Sequence, residues 1–254
     1  ETDSEVLKLF KPTNRLVDFN DISSEEEQDT YGQGKLVIEK LRKNLEQMRQ
    51  AHRKMLNGES PAWDYFIITA SSEQQANAYL REIAQRQEID AALVKEGEER
   101  VYFPEGMEIM VIPDPDGRRV GSGGATLNAI KQLASDIFEK KKRTGEELKS
   151  LNDLFKEMRI LMIHAGGDSK RIPAFSSTGK IFTPVALKLN NGDYISSLFD
   201  ELFTGLAGAA ANIGVGRLVT LPGDAQLIFD YNQVDLARRG TVIVAHKAPA
   251  AIGM

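Results

Sequence analysis

Four short apolar runs separated by helical patterns constrain this chain more than any other feature. Residues 63–69 (Trp63-Asp64-Tyr65-Phe66-Ile67-Ile68-Thr69), 107–113, 159–164 and 218–221 have the length and content of buried strands. Between them, Ser71 or Ser72 is placed to cap a helix through residues 74–87. Residues 125–142 read as a helix that becomes strongly basic at its end, residues 143–157 as a polar connection with helical content, and residues 196–206 as helix-like. Residues 208–216 are small and flexible in composition. Strands alternating with helices imply an α/β fold: a mostly parallel sheet with helices on both faces. Ligands in such sheets sit beyond the carboxyl ends of the strands.

Two glycine-rich segments fall at such ends. The first is Gly121-Ser122-Gly123-Gly124-Ala125-Thr126-Leu127-Asn128, reached through a loop containing Pro113, Pro115 and Gly117. The second is His164-Ala165-Gly166-Gly167-Asp168-Ser169-Lys170-Arg171-Ile172-Pro173, with Gly179-Lys180 after it. Without Cβ atoms a backbone can approach a ligand closely, and its N–H groups can point at a phosphate. With Lys170, Arg171 and Lys180 nearby, the two segments read as a site for a nucleotide and a second phosphorylated molecule. Gly223-Asp224 follows the fourth strand, so all three segments can share one rim. The simpler reading of the first segment is a tight strand-to-helix turn.

Two familiar phosphate loops fail on spacing. A dinucleotide fingerprint starting at Gly121 needs glycine or alanine where Thr126 stands, and a P-loop ending at Gly179-Lys180 needs glycine at Ala174 and a hydroxyl at Ile181.

The N-terminal region separates from this pattern. Residues 1–33 are polar, with the acidic cluster Glu25-Glu26-Glu27, and residues 35–57 carry Leu36, Val37, Leu41, Leu45, Met48 and Met55 at helical spacing before a stop at Gly58. A packed helix with a solvated basic face is favoured over a membrane-surface helix, because the apolar face has no Trp or Phe. The expected division is an arm and helix over 1–58 and a nucleotide-binding part over 59–254. The chain ends soon after an expected strand at 241–245, which leads us to expect a longer polypeptide.

A net charge of -5 and a pI near 5.4 disfavour a general nucleic-acid binder while allowing a local basic pocket. The chain has no cysteine, so disulfides and thiolate chemistry are excluded. No apolar run reaches the ~18 residues of a membrane span, and residues 1–4 have no signal-peptide character. These features fit a cytoplasmic protein.

The second glycine segment resembles the signature of sugar-nucleotide pyrophosphorylases: Ala165-Gly166-Gly167, then Arg171, Pro173 and Lys180. In its particular form it is similar to the fucose-1-phosphate guanylyltransferase family, some members of which also carry an L-fucokinase domain. The first glycine segment resembles that family too, as do residues 63–71 with Gln75-Ala76 and Tyr79 after them. The resemblance covers roughly residues 60 to 230. Where the usual loop has Gly-Thr-Arg, this chain has Asp168-Ser169-Lys170-Arg171, which leaves open which of Lys170 and Arg171 meets the phosphates.

The resemblance implies a Rossmann-like three-layer α/β/α fold of the nucleotide-diphospho-sugar transferase (GT-A-like) kind. It implies GTP and a sugar 1-phosphate, L-fucose 1-phosphate, as substrates and Mg2+ as cofactor, with a fucokinase domain on the same polypeptide as a further expectation. Both reactants are anions, so the protein's task is to position them and neutralise charge. On this reading Gly121, Ser122, Gly123, Gly124, Ala165, Gly166, Gly167 and Lys170 bind nucleotide. Arg171, with its bidentate fork, suits the leaving pyrophosphate. Lys180 suits the α-phosphate or sugar phosphate as a compact charge. Asp224 resembles the family's metal-binding aspartate, against the plainer reading of a Gly-Asp turn. His164 is expected to orient its loop. A pyrophosphorylase for another sugar 1-phosphate and a non-catalytic nucleotide-binding module remain alternatives.

Overall fold

The computed structural model describes residues 25–147, 150–167, 175, 179–188, 195–237, 240, 241 and 243. The chain divides into two compact units, Glu1–Lys43 and Asn44–Met254. Helix α1 (Glu25–Leu56) runs from the first into the second. Its start, well before residue 35, extends the predicted helix into the polar lead-in. In the second unit α1 buries Met48, His52 and Met55, as the packed-helix reading expects. Gly58, at φ +72°, follows its end.

Among the described residues four strands form the main sheet: β1 (Tyr65–Ala70), β2 (Glu108–Pro113), β3 (Arg159–His164) and β6 (Arg217–Pro222). Their order is β2-β1-β3-β6 and every pairing is parallel. Between the first three run α2 (Glu73–Lys95), α3 (Gly121–Thr144) and the short α4 (Leu151–Lys156). Ser72 caps α2 by accepting from the Gln75 N–H. A two-stranded antiparallel pair, β4 (Pro184–Lys188) with β5 (Ile195–Ser197), precedes α5 (Leu198–Ala207) and α6 (Ala209–Ile213).

Alternation along β1 sends successive side chains to opposite faces. Phe66, Ile68 and Ala70 pack with Tyr79 and Ile83 of α2 and with Phe199, Phe203 and Leu206 of α5. Tyr65 and Ile67 pack with Ala129, Leu133 and Ile137 of α3 and with Leu154 of α4. Every residue of β1 is buried, as a central parallel strand covered on both faces requires. This is the expected Rossmann-like α/β/α layering.

Two buried carboxylates tie helices to what surrounds them. Arg86 of α2 makes a bidentate pair with Asp200 of α5 at 2.7 and 3.0 Å and donates to Ser197 and Glu82. Burial opposes its charge, but the hydrogen-bonded Asp200 and Glu82 carboxylates outweigh that and hold its pKa above the ordinary arginine value. Asp90, 1% exposed, accepts from three successive amides, Val101, Tyr102 and Phe103, at 2.7, 3.0 and 2.8 Å.

Three expectations are corrected. The first glycine segment is not a loop before a helix at Ala125: residues 121–124 are the first turn of α3. Residues 208–216 are not merely a flexible stretch, since they include α6, with Ala209, Ala210 and Ile213 buried. The helix predicted over 74–87 continues to Lys95. The expected strand at 241–245 falls largely outside the described residues; Thr241 and Ile243 are described and are not in a strand.

Candidate functional site

The parallel register brings the strand ends together. Ala70 pairs with Pro113, Thr69 with His164, and His164 with Pro222, so the segments that follow β1, β2, β3 and β6 start side by side. From β1 the chain moves to β2 on one side and then to β3 on the other. The second glycine segment therefore leaves the sheet at a topological switch point, where open α/β sheets bind ligands.

Close backbone contact favours glycine at this rim. A Cβ on Gly166 would lie 3.1 Å from the Ser71 nitrogen and 3.2 Å from the Ala70 carbonyl carbon. One on Gly223 would lie 2.9 Å from the His164 oxygen, which accepts from the Gly223 N–H at 2.8 Å. The backbone after β3 thus presses on the end of β1, and the backbone after β6 presses on the end of β3.

The start of α2 holds the second glycine segment. Gln75 Oε1 accepts from the Ser71 N–H and hydroxyl at 2.8 and 3.0 Å, and its Nε2 donates to the Gly167 carbonyl at 3.0 Å. The Tyr79 hydroxyl donates to the Ala165 carbonyl at 2.9 Å. Gly179, at φ +71°, sits over the same tyrosine. A 3-10 turn, Lys180–Phe182, follows, with Ile181 and Phe182 buried and Lys180 half-exposed. Ala165, Gly167 and Lys180 are thereby brought to one place. Lys170 and Arg171 lie outside the described residues.

His164 connects the two glycine segments, a wider role than orienting its own loop. Its Nε2 is 3.1 Å from Thr126 Oγ1, and its Nδ1 is 3.4 Å from Thr69 Oγ1. The Thr126 hydroxyl donates to the Ser122 carbonyl at 2.9 Å, so its oxygen accepts from His164 Nε2–H, and Thr69 donates to Nδ1. Burial pushes the His164 pKa down, against the charge of Asp114. The neutral ring is the form that this relay needs. Within the first glycine segment, Gly121 adopts φ +69°, and a Cβ on Gly124 would meet the Val120 side chain at 2.7 Å. These glycines shape the turn into α3. Gly121, Ser122 and Gly123 are exposed.

Asp224 is exposed just beyond β6. Among the described residues no three His, Asp or Glu side chains gather as a metal cluster. A lone carboxylate suits Mg2+ that arrives with phosphate oxygens and suits a preformed cage poorly. Sequence reasoning passed over Asp114, at the end of β2, whose N–H donates to the Ala70 carbonyl at 2.8 Å. Its place directly after a strand was the available signal. It gave Gln75 and Tyr79 no role, and nothing local announces contacts 92 and 86 residues away.

This geometry defines an α/β protein of the Rossmann-like kind, with its glycine segments gathered at one rim of a parallel sheet. Residues 152–254 match the family described as the fucose pyrophosphorylase domain. The chain is 34% identical over 197 residues to the bifunctional fucokinase/GDP-fucose pyrophosphorylase of Arabidopsis thaliana, covering 72% of this chain and 17% of the relative. It is 29% identical over 193 residues to the fucose-1-phosphate guanylyltransferase of Mus musculus, covering 75% of this chain and 28% of that protein. A shorter match, 40% over 72 residues, links it to the L-fucokinase/L-fucose-1-P guanylyltransferase of Bacteroides fragilis, covering 28% of this chain and 7% of the relative. The chain is thus similar to fucose-1-phosphate guanylyltransferases, and it spans less than a third of the length of each of these proteins. No solved structure matches it. No helix among the described residues is long and apolar enough to cross a membrane.

Proposed function

We propose that this chain is the nucleotide-binding part of a cytoplasmic fucose-1-phosphate guanylyltransferase, which joins GTP to L-fucose 1-phosphate and releases pyrophosphate. The observation that carries the reading is the convergence of both glycine segments and Gly223-Asp224 at the carboxyl ends of strands in one parallel sheet, in a chain whose named relatives are guanylyltransferases. A fucokinase domain on the same polypeptide would fit the bifunctional relatives.

In the proposed reaction the sugar phosphate oxygen attacks the α-phosphorus in line with the departing pyrophosphate. The amides around Gly166 and Gly167 hold phosphate oxygens without an ionic partner of their own. Lys180 offsets charge that builds as the two anions approach, from a turn fixed by the buried Ile181 and Phe182. Arg171 and Lys170 take the pyrophosphate end, and the exposed first turn of α3 borders the nucleotide. Mg2+ held by Asp224 and the nucleotide would further neutralise the phosphates.

The test is thermal protection with Mg2+ and each of the four nucleoside triphosphates. A ligand at hundredfold excess over its Kd stabilises the native state by roughly 2.7 kcal/mol, so GTP should protect more than ATP. Equal protection by all four would remove guanine selectivity and leave a general phosphate site. Pyrophosphate release with a panel of sugar 1-phosphates then assigns the sugar.

A further inference from the structure

The backbone of the second glycine segment is held from beneath by two side chains that no step above uses. Gln75 is 5% and Tyr79 0% exposed. Because Gln75 Oε1 faces the Ser71 N–H, its Nε2 is committed to the Gly167 carbonyl. One turn further along α2, Tyr79 takes the Ala165 carbonyl. A trans peptide points its N–H opposite its C=O. Turning the Ala165 carbonyl down into α2 therefore turns the Gly166 N–H away from it. Gly166 is exposed, so this amide faces the open rim.

Tyr79 also reaches the other end of the signature. A Cβ on Gly179 would lie 2.2 Å from the Tyr79 hydroxyl oxygen, so the chain entering Lys180 rests on this ring. The ring itself is fixed by Phe182, with centroids 5.3 Å apart. One side chain thus registers the glycine amides against the lysine.

We infer that Gln75 and Tyr79 are positioning residues that set the Gly166–Gly167 backbone and Lys180 as a single anion-binding unit. The inference rests on the proposed nucleotide site. Packing alone accounts for the Tyr79 ring but not for where its hydroxyl and the Gln75 amide are spent: both go to carbonyls of the signature.

The test uses Tyr79→Phe, which keeps the ring, and Gln75→Glu, which keeps size and the acceptor for Ser71 but opposes the Gly167 carbonyl with a second oxygen. Tyr65→Phe is the control: it removes a tyrosine hydroxyl bonded to Glu108 at the amino end of β1, away from the rim. Affinities for GTP with Mg2+ and for guanosine are measured by calorimetry, with Tm for each variant. Tyr79→Phe and Gln75→Glu are expected to weaken GTP binding roughly five- to tenfold, the size of one lost hydrogen bond. Guanosine, which has no phosphate, should bind each variant as it binds the wild type. Tyr65→Phe should bind GTP within twofold of wild type even where its Tm falls as far as that of Tyr79→Phe. Should Tyr79→Phe not fold, Gln75→Glu alone decides. Wild-type GTP affinity in the folded rim variants, or parallel losses for GTP and guanosine, would overturn the inference and leave the nucleotide site standing. A wild-type chain that binds no nucleoside triphosphate would overturn the site and the inference together.

Discussion

His52 should make the fold lose stability as the pH falls below neutrality. It lies wholly buried on α1, with Nε2 3.2 Å from the Tyr102 carbonyl, Nδ1 3.4 Å from Thr204 Oγ1, and its ring edge-on to Phe203. The neutral ring fits: Nε2–H donates to the carbonyl and Nδ1 accepts from the threonine. Burial lowers its pKa from 6.5 to about 4, only partly countered by the Tyr102 carbonyl and the Asp200 charge. An unfolded chain takes up this proton near pH 6.5, whereas the folded chain refuses it until about pH 4. Stability is therefore unaffected by this group above 6.5 and declines as pH falls through the window down to about 4. At about 1.36 kcal/mol per pH unit the full effect is about 3 kcal/mol, of which about 2 kcal/mol is lost by pH 5. Urea unfolding at pH 7.5 and pH 5 measures it, with His52→Gln as the comparison. Glutamine retains a donor for Tyr102 and does not titrate. The wild-type loss between the two pH values should exceed that of the variant by about 2 kcal/mol. The exposed carboxylates and His164 contribute equally to both proteins and cancel. Equal losses would refute the claim that His52 stays neutral in the fold.

Lys180→Ala is expected to lower turnover on the order of 10²–10³-fold in the full-length enzyme with little change in Tm; near-normal turnover would remove Lys180 from the chemistry. Asp224→Asn should raise the Mg2+ concentration needed for half-maximal rate, and excess Mg2+ should restore part of the rate, which it should not do for Lys180→Ala. An unchanged Mg2+ dependence would reduce Asp224 to a turn residue. Asp200→Asn leaves Arg86 buried without its bidentate carboxylate partner and should cost about 3–5 kcal/mol, read as a lower urea midpoint. A loss under about 1 kcal/mol would mean that Glu82 and Ser197 suffice for Arg86.

What the sequence disclosed was the part governed by local pattern. β3 was legible to the residue because an apolar run ends at a glycine pair; the parallel sheet followed from alternation. The start of α3 was not, since three glycines in four residues oppose a helix on propensity. They are tolerated in its first turn, where Gly121 supplies a left-handed φ and Gly124 makes room for Val120. The site's backbone was legible in Gly166 and Gly223, where a Cβ would crowd neighbouring backbone, while one on Gly167 would meet nothing within 4 Å. Its support was not. Arg86 meets Asp200 across 114 residues, and His164 meets Thr126 across 38, distances at which sequence pattern carries no signal. The β4–β5 pair escaped notice because a three-residue strand has too little alternation to register.

Asp90 has a practical consequence for anyone who wishes to lengthen or tag this molecule. By gathering the amides of residues 101–103 it re-anchors the chain before β2 begins, independently of the path taken from Lys95. Residues 96–99 between these two fixed points are exposed. Each doubling of a flexible loop costs only ~0.6 kcal/mol in closure entropy. A peptide inserted between Gly97 and Glu98 should therefore loop into solvent while the carboxylate keeps β2 in register. The amino side of the sheet is the place to add sequence, and the opposite rim, where a Cβ on Gly166 or Gly223 would crowd neighbouring backbone, is the place to leave alone.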